Sequence, residues 1–279
     1  AGSKVTLVEG RAVLDGPRWV RVGERVLSAP HILIASGGAP VRDSLPGIEH
    51  CATSDELLDL QALPPKAAVI GSGYIALEFA SMLARLGVKV SVFYRAHLPL
   101  RGFDEDLRTR VASELQAAGV TLHGGAAPRE IQRAGSDWLL IGHDERMHEF
   151  PFVLNATGRR PQTAGLGLQT LGIAPGPGGA VPVDAQLRTA AEGVYAIGDV
   201  TDRWNLTPVA IAEGRALADS LFGATPRTVD LSLVASAVFT LPPIATIGPS
   251  EADALAAGRK LKVYEADFRP MRQAFINGH

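Results

Sequence analysis

Cysteine is almost missing from this chain: Cys51 stands alone in 279 residues. That excludes an internal disulfide and agrees with a reducing compartment. Long apolar runs are lacking as well. The longest, residues 233–248, is broken by Ser236, Thr240, Pro242 and Pro243, so no membrane-spanning segment is expected. No basic-then-apolar leader opens the chain, and a cytoplasmic protein with no membrane association is expected. Neither sign of charge dominates, with 27 Lys and Arg against 29 Asp and Glu and a net charge of −2. This balance argues against a nucleic-acid-binding surface or a polybasic membrane patch. No metal site is expected.

What the chain does have is 30 glycines and 19 prolines placed between periodic segments. That pattern suits an α/β fold with many tight connections, and the length has room for about two domains. Residues 1–28 alternate short apolar and polar runs (Lys4-Val5-Thr6-Leu7-Val8, Arg18-Trp19-Val20-Arg21-Val22) and read as antiparallel β structure. A buried strand, His31-Ile32-Leu33-Ile34-Ala35, then runs into Ser36-Gly37-Gly38, where paired glycines imply close approach to a ligand or another segment. Phe152-Val153-Leu154-Asn155-Ala156-Thr157-Gly158 ends in the same manner, so the two segments bracket the middle of the chain like matching hinges. Between them, residues 104–118 predict an amphipathic helix closed by Gly119, with strands at 120–122 and 138–141. Further on, Val194-Tyr195-Ala196-Ile197-Gly198-Asp199 predicts a short strand delivering a carboxylate at its end, followed by a helix through Pro208 to Phe222. A capping-box pattern over residues 250–253 predicts a short helix over residues 254–257.

The most informative stretch is Ala67-Ala68-Val69-Ile70-Gly71-Ser72-Gly73-Tyr74-Ile75-Ala76-Leu77-Glu78. It reads as a strand, a glycine turn and a helix over residues 74–86. Gly71 permits the turn, Gly73 lets backbone N–H groups approach a pyrophosphate, and Ala76 keeps helix and strand close. The next strand, residues 88–94, ends in Tyr94 and Arg95 where an NAD-binding unit usually carries an acid. Arg95 and Arg101 can instead grip a 2′-phosphate, which points to NADP(H). Ordinary surface charge is the plain alternative for these two arginines.

In order and spacing these marks resemble the pyridine nucleotide-disulfide oxidoreductases, nearest their glutathione reductase branch. The residues that carry the resemblance include residues 35–40, the glycine turn, Arg95 with Arg101, and Ala156-Thr157-Gly158-Arg159. Tyr195-Ala196-Ile197-Gly198-Asp199, Leu206-Thr207-Pro208-Val209-Ala210 and residues 239–248 complete the set. The resemblance implies two nested Rossmann-like domains, for FAD and NAD(P), plus the start of an α+β dimerisation domain. Residues 1–42 and 159–230 would belong to the FAD domain, 43–158 to the NADPH domain and 231–279 to the interface.

It further implies an NADPH site at Gly71, Gly73, Tyr74, Ile75, Glu78, Arg95, Arg101 and Gly158. Tyr74 would cover the flavin until nicotinamide displaces it, and Glu78 would pair with a lysine near the redox disulfide, although no such lysine can be identified here. An FAD site is implied at Arg11, Ala12, Ser36, Gly37, Asp199 and Thr207, with Asp199 on the ribityl chain, Thr207 near the ring and Arg11 with Ala12 at the adenine end. Glutathione disulfide is the expected substrate, and a homodimer the expected assembly.

Three parts that the family carries are absent from these residues: an N-terminal βαβ unit for the FAD diphosphate, a Cys-x4-Cys pair and a C-terminal His-Glu pair. A fragment of a longer product is therefore expected, with no catalytic residue in this chain; Cys51 is expected to be an inert thiol, and His279 is assigned no catalysis. Dihydrolipoamide dehydrogenase is disfavoured by the lack of an acid near Tyr94, whereas mercuric and trypanothione reductases remain open. So does a module that binds NADP(H) without flavin, in which Asp199 and Thr207 would have no ligand.

Overall fold

The computed structural model describes residues 4–268 and 271. Along the chain, β1 (Ala12–Leu14), β2 (Trp19–Val22) and β3 (Arg25–Ser28) form an antiparallel meander. The strand expected at the very start does not form: residues 4–9 carry no strand, and Val5 and Leu7 are exposed. Among the described residues their apolar side chains find no face to bury against, and alternation alone does not hold an extended segment in place.

β4 (Ile32–Ile34) and β5 (Gly38–Pro40) follow, then α1 (Ser54–Leu58), β6 (Lys66–Ile70), α2 (Tyr74–Arg85), β7 (Lys89–Tyr94), α3 (Glu105–Ala117) and β8 (Thr121–Gly124). A second meander of β9 (Glu130–Ala134), β10 (Asp137–Ile141) and β11 (Met147–Phe150) leads to β12 (Phe152–Asn155) and β13 (Arg159–Pro161). The chain continues through β14 (Val194–Ala196), α4 (Thr207–Phe222), β15 (Ser236–Val238), β16 (Ile244–Thr246) and α5 (Glu251–Ala256).

The central sheet has the order β12-β6-β7-β8 and is wholly parallel. Successive residues of β6 face opposite layers, as the period of two demands. Ala67 and Val69 pack with Ala76, Leu77, Ala80 and Leu83 of α2 and Val111 and Leu115 of α3. Ala68 and Ile70 pack with Phe93, Ile131, Leu140 and Phe150 on the side of the second meander. Three layers result. Full burial of a side chain such as Leu77 contributes about 2 kcal/mol by transfer alone, and Leu77 is 0 % exposed.

β4 differs from expectation, because only Ile32 and Ile34 are buried while Leu33 stays exposed. Among the described residues β4 pairs only with β14, in parallel, so one face meets the core of Leu14, Leu168, Val181 and Val200 and the other meets solvent. The two hinge segments pair with each other: β5 and β13 run antiparallel, Gly38 opposite Pro161 and Pro40 opposite Arg159. Asn155 secures this crossing, donating from Nδ2 to Val41 O at 2.6 Å and accepting at Oδ1 from Thr157 N and Oγ1.

α5 starts earlier than its sequence pattern suggests. Ser250 is the N-cap, accepting from Asp253 N at 3.2 Å, so the acidic residues 251 and 253 occupy the first turn rather than preceding it. Carboxylates are favourable at that end of a helix. His279 lies outside the described residues.

Candidate functional site

At the C-terminal end of the central sheet the chain order changes direction between β6 and β12, the usual place for a ligand crevice in such sheets. The glycine turn sits there. Gly71 has φ +123°, and a Cβ on it would lie 2.2 Å from Ala156 O, so the backbone of the second hinge leaves room for hydrogen only. Gly73 is different: its φ is −75° and a Cβ would meet nothing within 4 Å. The open space lies in front of the α2 N-terminus, which offers free N–H groups to an anion.

The loop between β7 and α3 closes on this turn. Leu100 N donates to Ser72 O at 2.9 Å, and Leu100 is 2 % exposed. Arg95 and Arg101 on the same loop are exposed and form no ion pair among the described residues.

A cleft of about 1000 Å³ opens beside the turn. Tyr74, Ile75 and Glu78 from α2 form one wall, Asp199 and Thr207 another, and Arg159 and Trp204 also line it. Asn205 and residues 236–239 belong to the lining too. Five of the residues proposed from sequence for two different cofactors therefore meet in one space. Tyr74 is 40 % exposed at its mouth. Burial pushes the phenol of Tyr74 up from its ordinary value, Arg159 pulls it down, and Asp199 and Glu78 add to the rise, so the hydroxyl keeps its proton at neutral pH.

The other candidates lie outside this lining. Gly71, Gly73, Arg95 and Arg101 belong to the turn and its loop. Ser36 Oγ donates to Gln162 O at 2.9 Å, and Gly37 O accepts from Gln162 N at 2.9 Å, so both knit the hinge. Gly158, at φ +144°, joins the same crossing, its carbonyl accepting from Val41 N at 3.0 Å. Arg11 reaches Ala164 O, and Ala12 is an exposed residue of β1. Glu78 meets no lysine among the described residues. Its Oε1 accepts from the backbone N–H of Phe239, because the 236–241 segment runs along α2 and offers an otherwise unpaired amide there.

Sequence reasoning missed a buried brace behind Asp199. Glu213 of α4, 1 % exposed, accepts from Gly198 N at 2.7 Å and pairs with Arg203 at 2.6 Å. Gly198 opens the turn that presents Asp199. The signal available was a carboxylate within the apolar face of a helix, which is almost never buried unless paired. Cys51, 2 % exposed, is packed against the second meander. Burial and the nearby Glu49 push its thiol up to about 12, against the opposing pull of Arg42, in agreement with an inert cysteine.

Residues 1–214 match the pyridine nucleotide-disulphide oxidoreductase family. The chain belongs to that family. The FAD and NADPH pair expected from the sequence is the cofactor pair of its disulfide reductases. Among the family's members, the glutathione reductase of Burkholderia cepacia is 41 % identical over 273 residues, which is 98 % of this chain and 61 % of that protein. The trypanothione reductase of Trypanosoma congolense is 40 % identical over 256 residues, 90 % of this chain and 52 % of that one. A solved structure, the HOCl-induced flavoprotein disulfide reductase RclA from Escherichia coli, superposes with a TM-score of 0.84 at 31 % identity, covering 90 % of this chain and 59 % of its own. The chain thus spans about three-fifths of the length of the glutathione reductase it matches. No helix among the described residues is long and apolar enough to cross a membrane.

Proposed function

We propose that this chain carries the NADPH site and part of the FAD site of an NADPH-dependent disulfide reductase acting on glutathione disulfide. The observation that supports it best is the cleft in which Tyr74 and Glu78 face Asp199 and Thr207. Its donors and acceptors suit both cofactors. The Asp199 carboxylate makes no side-chain hydrogen bond among the described residues, and Asn205 Oδ1 on the cleft wall is a buried acceptor without a partner. Such groups are costly unless a ligand or water satisfies them. On the nucleotide side, the open space before Gly73 and two cations without acidic partners among the described residues suit a pyrophosphate and a 2′-phosphate.

Bound FAD would supply a two-electron relay between NADPH and a disulfide. The α2 N-terminus and Gly73 would hold the pyrophosphate, and Arg95 with Arg101 the 2′-phosphate. Tyr74, a neutral ring at the cleft mouth, would stack over the flavin and exclude water until nicotinamide takes its place. Asp199, held by the Glu213 brace, would accept from ribityl hydroxyls, and Thr207 would lie by the ring. The domain limits at 42, 158 and 230 follow the same reading, as do a homodimer built on residues 231–279 and a cytoplasmic location.

The test is the purified natural protein, examined for bound flavin and for anaerobic bleaching of that flavin by NADPH and NADH. Bound FAD bleached preferentially by NADPH, and reoxidised by glutathione disulfide, is the expected outcome. A colourless protein would overturn the flavoenzyme reading, and reoxidation by trypanothione disulfide alone would reassign the substrate.

A further inference from the structure

The arginines proposed for the 2′-phosphate sit on a loop, and a loop does not hold two flexible guanidiniums in place by itself. Something must fix residues 95–101 against the glycine turn. Arg108, on the first turns of α3, reaches back over that loop. Its Nε donates to Pro99 O at 2.7 Å and its Nη2 to Leu98 O at 2.9 Å. Pro99 is buried, and the next residue, Leu100, donates from its backbone N–H to Ser72 O in the glycine turn at 2.9 Å. Arg101 comes directly after. Leu100 O then accepts from Phe103 N at 3.2 Å, which turns the chain into α3. A continuous set of hydrogen bonds therefore runs from the α3 side chain through consecutive residues of the loop to the turn that faces the nucleotide.

Arg108 forms no ion pair among the described residues, in contrast to Arg110 on the same helix, which pairs with Glu114 at 3.2 Å. Its guanidinium is half-buried and aimed at carbonyls. Only a planar fork with several donors can serve two neighbouring carbonyls at once, and a lysine ammonium at the end of a flexible stem cannot reproduce that geometry.

We propose that Arg108 is a positioning residue for coenzyme selectivity: it fixes the 98–101 segment so that Arg101, with Arg95, meets the 2′-phosphate of the nucleotide. The inference deepens the NADPH reading above and rests on it. Arg108 itself acts through the loop and not by contact with the ligand.

The natural protein and its Arg108→Met and Arg108→Lys variants would be titrated calorimetrically with 2′,5′-ADP and with 5′-AMP, which differ by the 2′-phosphate alone. The expected result is a loss of at least 10-fold in 2′,5′-ADP affinity for Arg108→Met with 5′-AMP affinity held within 2-fold, and an intermediate loss for Arg108→Lys. A purely structural role would weaken both ligands in parallel, and that outcome overturns the proposal. So does an unchanged Arg108→Lys, since charge without the fork would then suffice. Should Arg108→Met fail to fold, the lysine variant carries the test. A natural protein that binds the two ligands equally well would instead remove the NADPH reading on which the inference stands.

Discussion

Glu78 Oε1 accepts a hydrogen bond from the backbone N–H of Phe239 at 2.9 Å, across 161 positions of sequence. Two further side chains of α2 extend the contact: Ser81 Oγ accepts from Leu241 N at 3.0 Å, and Arg85 Nη2 donates to Leu241 O at 3.2 Å. Positions 78, 81 and 85 lie along one helix face, as the spacing of three and four requires. The helix whose first turn borders the cleft thus also holds the wall formed by residues 236–239. Glu78→Gln keeps an acceptor and Glu78→Ala does not. The alanine variant is expected to be less stable than the glutamine variant by about 1 kcal/mol, with faster hydrogen exchange at the Phe239 amide. Equal exchange in the two variants would show that this bond does not hold the wall.

The two glycines of the turn separate fold from ligand. Gly71→Ala drives a methyl to 2.2 Å from Ala156 O at φ +123° and is expected to destabilise the protein by about 2 kcal/mol or more. Gly73→Ala meets open space and is expected to keep its melting temperature within a degree or two while NADPH affinity falls about 10-fold, roughly 1.4 kcal/mol. Thermal melts beside NADPH titrations check both; a Gly73→Ala protein with full affinity would remove the pyrophosphate assignment.

Arg95→Glu places a like charge against a 2′-phosphate. NADPH binding is expected to weaken by about 100-fold, near 3 kcal/mol, and NADH binding by much less. Competitive titration with both coenzymes gives the ratio directly, and parallel weakening would contradict the phosphate role.

Removing Glu213 leaves the Arg203 charge without its partner in a mostly buried position. Glu213→Ala is expected to cost about 3 kcal/mol and to release flavin more readily than the parent protein. Denaturant melts and flavin fluorescence after dilution report the two effects separately.

His123 stacks on Phe93 with ring centroids 4.3 Å apart, and burial followed by the neighbouring His148 lowers its pKa. The unfolded chain therefore takes up this proton first as pH falls, so the contribution of His123 to stability declines below its ordinary value near 6.5. His123→Phe keeps the stack and removes the titration. Its stability is expected to vary less than that of the parent between about pH 7 and pH 5, measured by urea melts across that range.

Much of this architecture was legible because it is local. The strand, glycine turn and helix at residues 66–85 follow from period and punctuation, and the hinge endings at Gly37 and Gly158 were visible as repeats of one pattern. The pairing of those hinges was not, since nothing in either segment names its partner. The Phe239 amide on Glu78 was hidden for a related reason: a carboxylate on a helix carries no sequence mark that points to a distant backbone N–H. Arg108 and Glu213 went unnoticed because each is one charged residue on a helix, and only burial and partners separate them from solvated neighbours such as Arg110. The run at residues 4–8 shows the opposite error, in which alternation was present and the surface needed to use it was not.

The ladder between Gly38–Pro40 and Arg159–Pro161 brings the departure and the return of the chain to one spot. Everything from β6 to β12 is thereby an insert whose two ends lie side by side. Two cuts in neighbouring strands would free such an insert, and a replacement from a relative would have to keep the bonds of Glu78, Ser81 and Arg85 to residues 239 and 241. On the proposed reading, a change at Arg95 or Arg101 inside the insert would leave Asp199 and Thr207, on the returning chain, in place.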